Sequence, residues 1–277
     1  MKQPASLSRR DVVLAVEDQY SSREMREVLE GIAASGEKML LFMGRFFQYA
    51  SAFGVGQTAL AGQVAARNDL FRCPGEVGVF ADSSVTVAEG IFSGAIDEFG
   101  DREIAGGHSH RVLALATLKG MARFFQYDLE HLSHRIRAHG PTRDAAQKVS
   151  RCYGVNVVMD EAGLFRGIGF HLGTEVLGED ENRVLDDFFC ARCPDLMAFL
   201  DRNAVEINGV PVPANVWFKR HIVAEADHFA AGMRAAHLAL AYYSGRETRP
   251  LLVQWMLEGI RTVAAVQRDV MRTILQE

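Results

Sequence analysis

Apolar residues recur three and four positions apart over long stretches of the chain, with charged and polar residues between them, a spacing that puts one apolar stripe on an α-helix. The pattern predicts helices over about 22–34, 36–53, 56–71, 84–98, 108–138, 143–165, 167–178, 181–202, 214–244 and 250–275. Prolines at 4, 74, 141, 211 and 213 fall between these stretches and Pro250 opens the last, where a residue without an N–H does no harm to a helix; Pro194 alone falls inside one, 181–202. Strand signal is confined to Glu206 through Val212, where Asn208-Gly209 suits a tight turn, so a small hairpin decorating a loop is expected. The class is all-α. No internal repeat, low-complexity tract or long linker divides the chain, so residues 1–20 read as an N-terminal extension and 21–277 as one helical domain. The last two helices are the longest and most regular. Ser244 through Thr248 followed by Pro250 gives a stop and a start, and the two are expected to pack as an antiparallel pair.

Composition narrows the function classes. At 277 residues, 48% hydrophobic and 23% charged, the chain can bury a large core without disulfides. Thirty Lys and Arg against 35 Asp and Glu give a formal charge of −5 without long runs of either sign, which argues against nucleic acid or an anionic membrane as partner. Four cysteines are too few for a disulfide framework, and Arg9, Arg10 and Asp11 interrupt any apolar signal region. A cytoplasmic location is expected, with no membrane span, because charges recur through every long apolar window.

The stretch with the most chemistry is His221-Ile222-Val223-Ala224-Glu225-Ala226-Asp227-His228, inside the long helix beginning near Asn215. At 100° per residue, His221, Glu225 and His228 fall within about 60° of one another, which places two imidazoles and a carboxylate on one helix face. Such an edge needs donors from other helices to complete a metal's coordination sphere. Glu98 and His108 flank the glycine-containing turn between two apolar helices and are expected on adjacent turns of neighbouring helices. Glu175, in Gly169-Phe170-His171-Leu172-Gly173-Thr174-Glu175, is a carboxylate on a glycine-rich apolar face, where a charge is costly unless paired or metal-bound.

A Glu followed ten residues later by a His, an isolated Glu in a later helix and a His-x3-Glu-x2-His helix together resemble the haem-oxygenase-like diiron oxidases and oxygenases. The resemblance spans about residues 90–230. It implies a haem-oxygenase-like helical bundle with a seven-helix core. Carried over by position, it implies that Glu98, His108, Glu175, His221, Glu225 and His228 hold two Fe(II) ions, with Glu175 as a bridging carboxylate and O2 as cosubstrate. The family often has Asp where this chain has Glu225. The implied activity is that of an O2-using non-haem diiron oxidoreductase. Its substrate would be a small amine, amino-acid-derived or carboxylic-acid metabolite, oxidised by N-oxygenation, desaturation or C–C cleavage, often in natural-product biosynthesis. A small-molecule substrate, an electron donor and a second copy of the chain are the partners this reading admits.

Other readings compete for the same residues. A ferritin-like bundle would use Glu225–His228 as one Glu-x2-His pair, but offers only Asp128–His131 as its counterpart and leaves His221 and Glu98 idle. A metal-free thiaminase-like hydrolase, a cofactor-assembly protein or a noncatalytic iron-binding protein could use the same scaffold. His131, His134 and His139 lie among Arg135, Arg137 and Lys148 and read as a solvated face. Cys190 and Cys193 have redox-motif spacing without a βαβ context and read as packing residues before Pro194. The pairs Phe46-Phe47, Phe124-Phe125 and Phe188-Phe189 read as core or substrate-chamber wall. His110 and His171 are the residues most easily confused with the ligands, since His171 lies four before Glu175 on the same face.

Overall fold

The computed structural model describes residues 6–73, 82–100 and 107–277, apart from the side chains of residues 97 and 220–226. Twelve helices and one two-stranded sheet are present among them. The helices are α1 (Arg9–Glu17), α2 (Ser22–Ile32), α3 (Gly36–Ala50), α4 (Ala52–Ala65), α5 (Ser83–Phe99), α6 (His110–Phe125), α7 (Leu129–Ala138), α8 (Gly140–Cys152), α9 (Glu161–Arg192), α10 (Pro194–Arg202), α11 (Val216–Tyr242) and α12 (Arg249–Thr273). Strands β1 (Ala204–Ile207) and β2 (Val210–Pro213) pair antiparallel around Asn208 and Gly209, whose φ values of 53° and 80° are those of a tight hairpin turn. The all-α reading and the small hairpin therefore hold. No helix among the described residues is long and apolar enough to cross a membrane.

The organising element is α9, buried on almost every side from Leu164 to Leu177 and on one face from there to Phe189, as expected of a helix at the centre of a bundle. Asp160 caps its start by accepting from Gly163 N at 2.7 Å. The sequence pattern divides this stretch into pieces because its glycines read as breakers. In the structure they are packing positions: a Cβ on Gly169 would overlap the backbone of Met256 in α12, so α12 lies directly on α9.

That contact also corrects the expected pairing of the last two helices. α11 and α12 each pack on α9, α11 with α5 as well, and they touch each other little. Gly169→Ala is expected to destabilise the protein by about 1–3 kcal/mol through overpacking against an immovable backbone, outweighing its gain in helix propensity. Gly62→Ala on α4, whose Cβ would meet nothing within 4 Å, is expected to stabilise by several tenths of a kcal/mol up to about 1 kcal/mol. Urea unfolding of the two variants checks the contrast; equal shifts would show that α12 can move away.

Two boundaries differ from the hydrophobic pattern for local reasons. The stretch expected as one helix over 108–138 breaks at Gln126, which adopts a left-handed φ of 60° and ends α6, while Asp128 caps α7 by accepting from Glu130 N at 2.9 Å. The N-terminal segment is integral to the bundle: Ser8 and Asp11 form a capping box, and Val12, Ala15 and Val16 of α1 are buried against α9 and α12. The hairpin is tied to α6 by Lys119 and Arg123, which donate to the carbonyls of Glu206 and Ala204 at 3.2 and 3.3 Å. It thereby fixes the start of α11, where Trp217 packs edge-on against Phe47 with centroids 4.8 Å apart.

Candidate functional site

A cavity of about 110 Å³ opens between α3, α4, α5, α6, α9, α11 and α12. A single water needs roughly 10–15 Å³ on the same measure, so there is room for a small metabolite or several waters. One wall is aromatic, with Phe46, Phe47, Phe53 and Trp217; Glu98, His110, Glu175 and His228 line the cavity as well.

Glu175 is 2% exposed and receives groups from three directions. Gln57 of α4 donates to its Oε1 at 3.0 Å. His171, one turn earlier on α9, places Nδ1 3.2 Å from the same oxygen, and His228 of α11 places Nδ1 3.7 Å from Oε2. Gly94 on α5 faces this convergence: a Cβ there would stand in ordinary contact, 3.4 Å from Gln57 and 3.6 Å from Glu175. Glu98, one turn further along α5, pairs with His110, whose Nδ1 lies 3.1 Å from its Oε1. Ser109 caps α6 by accepting from Val112 N, which makes His110 the first helical residue and fixes it beside the end of α5.

His171 is the most telling side chain. It is 1% exposed, yet neither ring nitrogen makes a hydrogen bond of ordinary geometry; the close approach to Glu175 is a contact at ion-pair distance and not an aligned bond. Burial first, and the neighbouring His228 second, push its pKa down to about 3, so the ring is neutral at any pH at which the protein is expected to work. A neutral imidazole is the protonation state that metal ligation requires.

The residues expected from sequence separate into groups. Glu98, Glu175 and His228 all line the cavity. His221 and Glu225 lie on α11, but their side chains are outside the described residues. His108 sits half-buried in the coil before α6 and is not part of the cavity wall, whereas His110, two residues later, is. Among the described residues no group of three or more His, Cys, Asp or Glu is drawn tightly enough together to hold a metal ion as it stands. Spacing does not single out Gln57, because an amide on α4, five helices before α9, leaves no signature of whom it will meet.

Several residues named by competing readings have other tasks. His131 and His134 are exposed on α7, and His139 is the N-cap of α8, so they form no cluster. Asp128 is a helix cap, which removes the second half of the ferritin-like pattern. Cys190 is exposed and Cys193 half-buried against Met39 at 3.8 Å. Burial raises both thiol pKa values, with Asp186 adding to the rise at Cys190, so neither has the lowered pKa of a redox-active thiol. In comparisons with known proteins, the chain matches no family model, no curated protein and no solved structure.

Proposed function

We propose that the protein is a non-haem diiron oxidoreductase that uses O2 to oxidise a small amine, amino-acid-derived or carboxylic-acid metabolite. The observation carrying this reading is the buried Glu175 carboxylate set between His171 and His228, with the ring nitrogens of His171 unengaged, in a cavity that also receives Glu98 and His110. Glu175, His171 and His228 would hold iron on the α9 side, and Glu98 with His110 on the α5 side. His221 and Glu225 share the helix of His228 and would supply further donors. His110 takes the role that the sequence assigns to His108. When bound, two Fe(II) ions supply electrons to O2.

The chain's own residues do the rest. Gln57 holds Glu175 in one orientation through its amide N–H. The aromatic wall keeps water from the reacting end and gives an aliphatic substrate an apolar surface. Arg111 donates to the Ser51 carbonyl at 2.6 Å, tying the start of α6 to the α3–α4 junction beside His110.

The test is O2 uptake by anaerobically Fe(II)-loaded protein mixed with a panel of small amines, amino acids and carboxylates. Uptake that needs both iron and one member of the panel is expected. His110→Ala should retain at most one iron, whereas His108→Ala should retain two. Full iron binding by His110→Ala with loss in His108→Ala would return His108 to the site, and no substrate-dependent uptake across the panel would favour a metal-free activity on this scaffold.

A further inference from the structure

The cavity has a second polar pole that the metal reading does not use. Along α9, Glu181 lies about 9 Å beyond Glu175 at 1.5 Å per residue. It is 5% exposed, lines the same cavity and has an Oε1 that makes no hydrogen bond. Around it stand Tyr49 of α3, 1% exposed with a hydroxyl that makes no hydrogen bond, and Gln267 of α12, 2% exposed, whose amide is near enough to the Glu181 carboxyl to hydrogen-bond with it but whose Nε2 makes no aligned bond. Tyr20, outside the cavity lining, is also near enough to hydrogen-bond with Glu181, without an aligned bond at its hydroxyl. A native interior rarely leaves so many buried polar atoms unsatisfied at one place unless something else completes them.

Charge decides what that is. The one cationic side chain lining the cavity among the described residues is Arg111, at the other pole beside His110. A carboxylate ligand at the Glu181 pole would find neutral donors at most and no cationic side chain, and a buried anion without a counter-charge is costly. A cation finds the carboxylate, the oxygen of the Tyr49 hydroxyl and an amide that presents its oxygen once turned about its last bond.

We propose that this pole is an ammonium-binding subsite, in which Glu181 is the counter-ion for the protonated amine of a small aliphatic amine substrate while Tyr49 and Gln267 take its remaining N–H groups. The inference rests on the proposed oxidase reading only for the word substrate; the subsite itself needs no iron. It places the amine at the far end of the chain from the carbon to be oxidised, about two helical turns from Glu175.

Burial also pushes the Glu181 carboxyl up to about 8, with Asp180 adding to the rise and Tyr20 and Gln267 opposing it. Near neutral pH the empty subsite therefore carries a proton that an arriving ammonium would displace into solvent. Tyr49 of α3, Gln267 of α12, Tyr20 and the adjacent Asp180 are the groups that face Glu181 in this balance.

The experiment is calorimetric titration of the iron-free full chain at pH 7 with n-butylamine, n-butanol and butanoate. Butylammonium is expected to bind about tenfold or more tightly than butanol, and butanoate more weakly still, as a buried charge-assisted hydrogen bond demands. Its heat should vary with the ionisation enthalpy of the buffer, reporting the released proton. Glu181→Gln should lose both the preference and the buffer dependence while its circular dichroism and iron content stay as in wild type. Equal or tighter binding of butanoate, no binding of any of the three, or an unchanged preference in Glu181→Gln overturns the subsite. Iron content of the wild type, measured on the same preparation, separates the two ideas: amine selectivity without iron leaves the subsite and removes the oxidase, and the reverse result does the opposite.

Discussion

Glu175→Gln is expected to abolish substrate-dependent O2 uptake and to leave at most one iron per chain, while making the iron-free protein as stable as wild type or more so. The two effects have one cause. In the iron-free chain Glu175 is a buried carboxylate with one amide donor and two imidazoles beside it, and a neutral amide of the same shape is cheaper to bury. In the proposed iron-loaded chain the carboxylate would be a donor beside the histidines of α9 and α11. Because iron binds only the folded site, wild type should gain about 3–4 kcal/mol in anaerobic urea unfolding at free Fe(II) roughly 100 to 1,000 times Kd, and the variant should gain much less. Turnover should fall by about 100-fold or more, since the loss exceeds that of an outer-shell partner. A purely structural Glu175 would give the opposite signature, with iron retained and the iron-free chain destabilised.

Glu181→Gln is expected to change how stability depends on pH. The Glu181 carboxyl is raised from 4.5 to about 8, so between those values the folded chain holds a proton that the unfolded chain releases. Its stabilising contribution is complete below about pH 4.5 and is lost as pH rises through about 8, on the order of 5 kcal/mol over the whole window. Gln cannot ionise and removes that slope. Urea unfolding of the two iron-free chains at pH 5, 6.5 and 8 should show the variant gaining on wild type with each step and exceeding it at pH 8. Parallel stability curves would mean that Glu181 ionises freely in the folded chain and is not sealed at the cavity's end.

What the sequence made legible follows from what is local. Asn208-Gly209 carries its turn in its own backbone preference, and the hairpin appears where expected. The helices of α2, α3 and α5 begin and end within a few residues of their apolar pattern because Ser21 and Ser35 cap two of them and Gly100 ends the third. The failures are tertiary. Gln126 ends α6 in a left-handed conformation that any sequence rule would assign to Gly or Asn. The glycines of α9 look like breaks until α12 is laid on them, and that same contact separates α11 from α12. In the site, Glu98, Glu175 and His228 stand out because acids and imidazoles on apolar faces need partners. His110 lines the cavity and His108 does not because Ser109 makes His110 the first residue of α6, a matter of one cap. Glu181 is hidden in the run Glu179-Asp180-Glu181, which reads as a solvated acidic stretch although its last member points into the core.

The most direct test of the account is anaerobic titration of the full chain with Fe(II), with bound iron counted after removal of the excess, in wild type and in the triple variant Glu98→Gln, Glu175→Gln, His228→Gln. The account predicts two irons per chain in wild type and none in the variant, with the variant's helical circular dichroism intact. A wild-type chain that binds no iron, or a triple variant that still binds two, contradicts it.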